Sequence, residues 1–259
     1  IRDKLVTGVQ TCALPILCSS STAVIDTSTA HRTAPGWVYG FPELVGREAV
    51  AKSKRIANPG CHASGFIALV RPLVKAGLIG PDTALTAFSL TGYSGGGKSM
   101  IGEYEAEGRS PLLDAPRQYA LGQTHKHLKE MVALCSLTLA PVFCPIVADY
   151  YSGMEVTVPL FARDLKGSMA DIRNTYREAY TGALVRYAEG DEGGFLSAGA
   201  MGGFDDMEIT VAGNEERILL TARFDNLGKG ASGAAIQNMN ILLGLPETEG
   251  LSLSKGASL

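Results

Sequence analysis

Apolar positions along the chain switch between a helical and an alternating period, and the switches outline its elements. From Cys61 to Ala76, Phe66, Leu69, Val70, Leu73 and Val74 recur at helical spacing, and Gly77 follows as a stop. Pro72 sits inside that pattern and predicts a kink or an early break. Thr22–Asp26 and Arg55–Ala57 read as buried strands, separated by a long loop over Thr27–Leu44. Ala84–Thr91 reads as a strand that runs into a glycine loop and a helix from about Ser99. A short helix over His127–Leu134, a strand over Val156–Leu160 and an amphipathic helix over Met169–Tyr187 follow. Met207–Val211 and Arg217–Phe224 alternate as strands around a Gly213-Asn214 turn. A second glycine loop, Gly228–Gly233, leads to a closing helix over Ala234–Leu243. Strands and helices mixed throughout predict an α/β or α+β architecture.

Composition narrows the class. The 259 residues are 46% hydrophobic and 19% charged, as in a globular protein able to bury a core. The net charge of -3, without any basic block, gives no support for a nucleic-acid or membrane-surface partner. The longest uncharged stretch, Met131–Ala148, carries Pro141, Pro145, Ser136 and Thr138, which favours buried strands over a membrane span. Five cysteines, an odd count without paired or metal-site spacing, point to a reducing compartment.

The first residues read differently. Val6–Ile16, VTGVQTCALPI, resembles the translated frame of a sequencing-library adapter, so residues 1–16 are set aside as an artefact. The expectation is that the natural chain begins upstream of this junction.

Four constellations carry candidate chemistry. In Asn58-Pro59-Gly60-Cys61-His62, a cysteine follows a tight turn at a helix start, where the helix dipole is expected to lower its pKa and favour a thiolate nucleophile. In Gln123–Glu130, His125 and His127 are candidate acid/base groups, and Glu130 is a candidate to orient an imidazole. His31 and His62 read as structural hydrogen bonders. Gly92–Ser99, GYSGGGKS, matches a P-loop, although the magnesium-ligand candidates Asp149 and Asp225 are unconvincing. In Asp225–Gln237, glycines 228, 230 and 233 would let backbone approach a ligand. On these residues alone, a cysteine acyltransferase or hydrolase and a P-loop nucleotide-binding module both stay open.

Five ordered blocks together resemble one family. They are DTSTAHRTAPGWVYGFPEL from Asp26, NPGCHASGF from Asn58, TGYSGGGKSM from Thr91, YALGQTHKHL from Tyr119 and DNLGKGASGAAIQNMN from Asp225. The chain is similar to the shorter type of N-acetyl-gamma-glutamyl-phosphate reductases from about Val24 to about Leu245. The resemblance implies a Rossmann domain that binds NADP, joined to an α+β catalytic domain like that of aspartate-semialdehyde dehydrogenase. It implies NADPH-dependent reduction of N-acetylglutamyl 5-phosphate to the 5-semialdehyde, in arginine biosynthesis, through a Cys61 thioester.

The same resemblance distributes roles. His125 or His127 is the acid/base and Glu130 its catalytic companion. Thr29, Ser94, Gly95, Gly96, Asn226, Lys229 and Gly230 face the cofactor. Arg32, Asn58 and Arg117 grip the acyl phosphate substrate, the arginines because guanidinium forks suit phosphate and carboxylate. The expected boundaries are 17–60 and 230–259 for a partial dinucleotide-binding domain and 61–229 for the catalytic and dimerisation domain. A cytoplasmic homo-oligomer is implied. Two departures stand out: Lys129 replaces a usual proline, and the first βαβ unit with its pyrophosphate loop is absent, so weakened NADPH binding and exposed sheet edges are expected.

Overall fold

Two sheets organise the chain, and the turn that ends in Cys61 joins them. The computed structural model describes residue 19 and residues 21–256; the adapter-like segment lies outside them. The first sheet is parallel, with β1 (Val24–Asp26), β3 (Arg55–Ala57) and β2 (Val38–Tyr39) in that order. Strand β2 and the start of a short helix α1 (Pro42–Val45) fall within the stretch read as a loop, and a second short helix, α2 (Arg47–Lys52), follows it. The closing helix, α7 (Gly233–Leu243), packs Ile241 against Val50 and Ile56 of this layer. Asn238 Nδ2 donates to the Gly40 carbonyl at 2.9 Å. Gly40 must be glycine there, because a Cβ would lie 2.6 Å from Asn238 Nδ2.

The second sheet is mixed and seven-stranded. Its order is β5 (Arg117–Gln118), β6 (Val142–Ala148), β4 (Thr86–Gly92), β7 (Met154–Phe161), β10 (Arg217–Phe224), β9 (Met207–Gly213) and β8 (Val185–Tyr187). The β9–β10 hairpin turns at Gly213, φ 122°, as its glycine predicts. One face is covered by α3 (Cys61–Lys75), α5 (Leu128–Cys135) and α6 (Met169–Ala179), which share its main apolar core. On the other face Phe88, Phe161 and Leu219 stay exposed. Helix α4 (Gly97–Glu105) follows β4.

Two expectations are corrected. Helix α3 runs unbroken through Pro72. Proline removes the N–H that would reach the Ala68 carbonyl. Tyr180 Oη, at the exit of α6, donates to that carbonyl at 2.5 Å in place of the missing N–H, and Tyr176 Oη donates to the next carbonyl, Leu69 O, at 2.6 Å. The helix expected to reach Tyr187 ends at Ala179, and the chain turns through Gly182 into β8, which pairs with β9. An apolar position every few residues persisted across that boundary because β8 is also buried, which periodicity alone cannot separate from helix.

Candidate active site

The Asn58–Gly60 turn is fixed from three sides. The Asn58 amide donates to Asp26 O at the end of β1, and its Nδ2 donates to Ala231 O at 2.8 Å. The Gly60 amide donates to Glu130 Oε2 at 3.0 Å. A Cβ on Gly60 would lie 2.5 Å from Arg32 Nη1 and closer still to His127 Nε2, so only glycine lets these two side chains reach the turn. Cys61 follows as the first residue of α3, half-buried, on the wall of a cavity of about 530 Å³.

The electrostatics of Cys61 differ from the expectation. Burial pushes its thiol pKa up, against the lowering effects of the His62 backbone amide and the Arg32 charge. The helix N-terminus does not outweigh desolvation, so without a ligand the sulfur is held as a thiol and needs a base.

Glu130 is corrected next. It does not orient an imidazole. Its buried carboxylate accepts from Arg32 Nη1 at 2.7 Å, from Tyr39 Oη at 2.9 Å and from the Gly60 amide. It is the anchor beneath the catalytic turn rather than a group facing the cavity. Arg32 also donates through Nε to Asn58 O and through Nη2 to Thr27 O. Three of its five N–H groups are thereby used, and two remain for a ligand in the cavity it lines. Burial, then the adjacent Glu130 charge, holds the Tyr39 phenol well above its usual range.

Both candidate acid/base histidines line the cavity. His125 Nδ1 accepts the His127 backbone N–H at 3.2 Å, which occupies its basic nitrogen. The His127 ring is buried, and its Nδ1 has no hydrogen-bond partner among the described residues. Burial lowers the pKa of both, with Lys126 adding to the effect at His125 and neighbouring histidines at His127, so both are neutral at pH 7. His62 is the structural hydrogen bonder expected, with both ring nitrogens engaged, and it too reaches the cavity. His31 stacks on Trp37 with 4.0 Å between ring centroids.

The two glycine loops form the opposite wall. Gly95, Gly96, Asn226 and Gly230 all line it. Asn226 stitches the loops together: Nδ2 donates to Ser94 Oγ and Oδ1 accepts from the Gly153 amide, each at 2.9 Å. Ser94 is therefore buried behind the wall. Gly228–Ser232 is one turn of π-helix, and a Cβ on Gly230 would sit 3.0 Å from Cys61 Cβ. Backbone of the second loop thus lies directly against the nucleophile.

Besides Glu130 and Ser94, three further expected residues are not brought to the cavity. Lys229 is buried away from it, its Nζ donating to Glu43 Oε1 and Gln237 Oε1 at 2.6 Å each. Arg117 lies over the Tyr104 ring, 5.3 Å from its centroid. Thr29 is exposed beside the site, and Thr27 lines the cavity instead. The P-loop reading also loses its parts. Lys98 and Ser99 are exposed, Asp149 is engaged by Arg109, and Asp225 accepts from the Leu227 and Gly228 amides.

Reasoning from the sequence missed Tyr39, Thr27 and Tyr119 as site residues, and Gln123, whose side chain clasps the Phe143 backbone N–H and carbonyl at 2.9 and 2.8 Å. Tyr119 and Gln123 lie in the same block as the two histidines, the signal that could have found them.

Known proteins resemble the chain over most of its length. The semialdehyde dehydrogenase dimerisation-domain family matches residues 61–226. N-acetyl-gamma-glutamyl-phosphate reductase 2 of Nostoc sp. is 41% identical, covering 92% of this chain and 80% of that protein. The N-acetyl-gamma-glutamyl-phosphate reductase of Brucella ovis is 43% identical, covering 87% and 76%. Among solved structures, aspartate semialdehyde dehydrogenase II of Vibrio cholerae superposes with a TM-score of 0.66 at 18% identity, covering 93% of this chain and 77% of that one. That likeness shows the fold: a Rossmann-like layer beside a mixed-sheet domain of the semialdehyde dehydrogenase type. No helix among the described residues is long and apolar enough to cross a membrane. A thiol at a helix start, two cavity histidines and two glycine loops across from them accompany an identity above two-fifths over most of the chain, and this protein belongs to the N-acetyl-gamma-glutamyl-phosphate reductase family.

Proposed function

We propose that this chain is an NADP-dependent oxidoreductase that reduces N-acetylglutamyl 5-phosphate to N-acetylglutamate 5-semialdehyde, a step of arginine biosynthesis. The observation that carries the reading is the seat of Cys61, at the N-terminus of α3 between the His127 side and the Gly230 loop. Family membership supports the substrate class.

The residues present fit the nicotinamide end of the cofactor. Gly95, Gly96 and Gly230 leave a side-chain-free slot beside the nucleophile. Asn58 Oδ1 is a buried carbonyl oxygen without a partner among the described residues, suited to accept from a carboxamide. When bound, NADPH supplies the hydride that reduces a thioester carbonyl.

The chain's own groups do the rest. Cys61 Sγ attacks the acyl carbon, its bond to the phosphate oxygen breaks, and phosphate leaves. His127 is the base, because its Nε2 is packed against the Gly60 turn that precedes Cys61, whereas His125 Nδ1 already accepts a hydrogen bond. It holds the thiol proton while the thioester exists and returns it when the C–S bond breaks and the aldehyde leaves. Arg32, with two free N–H groups, binds phosphate or carboxylate. The Lys126 charge, the remaining Arg32 N–H groups and the Cys61 backbone amide favour the developing anion.

Residues 17–60 with 230–259 are assigned to cofactor binding and 61–229 to catalysis and dimerisation. The division follows the two sheets. The exposed Phe88, Phe161 and Leu219 on the uncovered face of the larger sheet support self-association into a homo-oligomer. The test is a coupled assay. Oxidation of NADPH and release of phosphate, one for one, are expected with N-acetylglutamyl phosphate and are expected to vanish in Cys61→Ser. NADPH oxidation that persists in Cys61→Ser would overturn the reading.

A further inference from the structure

His62 follows the nucleophile, takes no part in the steps above, and still has both ring nitrogens committed. Nδ1 lies 2.6 Å from Ser89 Oγ, and Nε2 lies 2.7 Å from Tyr119 Oη. Proton direction along this chain can be deduced. Ser89 is fully buried, and its hydroxyl has no other partner among the described residues. If His62 donated to Ser89, the serine O–H would be stranded without an acceptor, which buried hydroxyls avoid. Ser89 therefore donates to Nδ1. Burial pushes the His62 pKa down to about 3, so the ring carries a single proton, which must sit on Nε2. Nε2–H donates to Tyr119 Oη. The Tyr119 O–H is then left free, on a residue that lines the cavity with Cys61.

The loop holding Tyr119 is rigid. The Tyr119 amide donates to Pro145 O at 3.0 Å. Ala120 and Gln123 adopt left-handed φ values of 53° and 54°, and Gln123 is pinned to Phe143. Residues held this way cluster where a side chain must be aimed.

We propose that Tyr119 is a catalytic hydrogen-bond donor to the acyl oxygen, aimed by the Ser89–His62 chain, and that His62 and Ser89 are positioning residues. The inference rests on the reading of Cys61 as the acylated nucleophile. No proton is transferred. The bond strengthens as negative charge grows on oxygen, first when sulfur attacks and again when the carbonyl is reduced. Burial and the nearby Cys61 raise the phenol pKa, which keeps it a donor throughout.

The test acylates Cys61 with substrate isotopically labelled at the reacting carbonyl, without nucleotide, and reads the carbonyl stretch by infrared difference spectroscopy. The wild-type band is expected below that of a free thioester in water. In Tyr119→Phe it should rise, and single-turnover reduction should fall ~100-fold with little change in KM. His62→Leu should copy Tyr119→Phe. His62→Gln should keep the band and most of the rate, because its amide can accept from Ser89 and donate to Tyr119. An unchanged band and rate in Tyr119→Phe would overturn the donor role. Equal failure of His62→Gln and His62→Leu would overturn the aiming role. If Tyr119→Phe does not fold, the two His62 variants decide the matter through the same band. Absence of any acyl-enzyme in the wild type would instead contradict the nucleophile reading.

Discussion

Glu130 reaches across from α5 and accepts the backbone N–H of Gly60 at 3.0 Å, fixing the residue before the nucleophile from a helix nearly seventy positions away in sequence. The same carboxylate neutralises Arg32. Removing it leaves a buried guanidinium uncompensated. Glu130→Ala is expected to destabilise the fold by about 3–5 kcal/mol, the range for breaking a buried pair from one side. Chemical denaturation measures this, and a loss below about 1 kcal/mol would show that the pair is not buried in solution.

Gly60→Ala is a sharper probe of the site than of the fold. Its new Cβ would enter the space of Arg32 Nη1 and His127 Nε2, both of which must move. The secondary structure should survive while acylation of Cys61 falls by at least about tenfold, as expected when a reacting group is misplaced by about 1 Å. Circular dichroism together with the acylation rate checks both halves. Wild-type acylation in Gly60→Ala would show that these side chains are not held against the turn.

Because burial raises the Cys61 pKa, the free enzyme holds a thiol at neutral pH. Alkylation by iodoacetamide should therefore climb steadily from pH 7 to about 9 without levelling off, since an unperturbed thiol already titrates near 8.5. A plateau at or below neutral pH would mean that the helix N-terminus and Arg32 win over desolvation after all.

Stability should depend on acid in a definite direction. The folded-state pKa of His62 is depressed to about 3, and that of His127 is also lowered by burial. Below about pH 6.5 the unfolded chain takes protons that the folded chain refuses, so stability is lost as pH falls from there toward about 3. Each such histidine contributes a slope of about 1.4 kcal/mol per pH unit. Urea midpoints at several pH values test this, and His62→Gln should flatten the curve. An identical slope in that variant would contradict the burial of a neutral ring.

Tyr180→Phe tests how α3 tolerates Pro72. The variant leaves Ala68 O without its donor, and a loss of about 1–3 kcal/mol is expected for a buried acceptor left unpaired. Unchanged stability would mean that another group fills the gap.

Much of this was legible from residue order. Arg55–Ala57 is a strand as read, the β9–β10 hairpin turns at Gly213, and Cys61 opens a helix. The unread parts depended on partners distant in sequence. Pro72 should have broken a helix, and only the packing of Tyr180 shows why it does not. Lys229 sits in a glycine loop that faces the site, yet its side chain leaves for Glu43 and Gln237, which a linear pattern cannot indicate. The expected thiolate followed from the helix dipole, and the opposing desolvation exists only once the cavity closes around Cys61. His62 read as structural, which its hydrogen bonds bear out, but the tyrosine at the end of that chain was invisible.

The most direct test of the central claim leaves the cofactor out. The chain is mixed with N-acetylglutamyl phosphate, and its intact mass and peptide map are measured. A single N-acetylglutamyl thioester on Cys61, absent in Cys61→Ser, is the predicted result. A folded chain that gains no adduct, or gains the same adduct in Cys61→Ser, would contradict it.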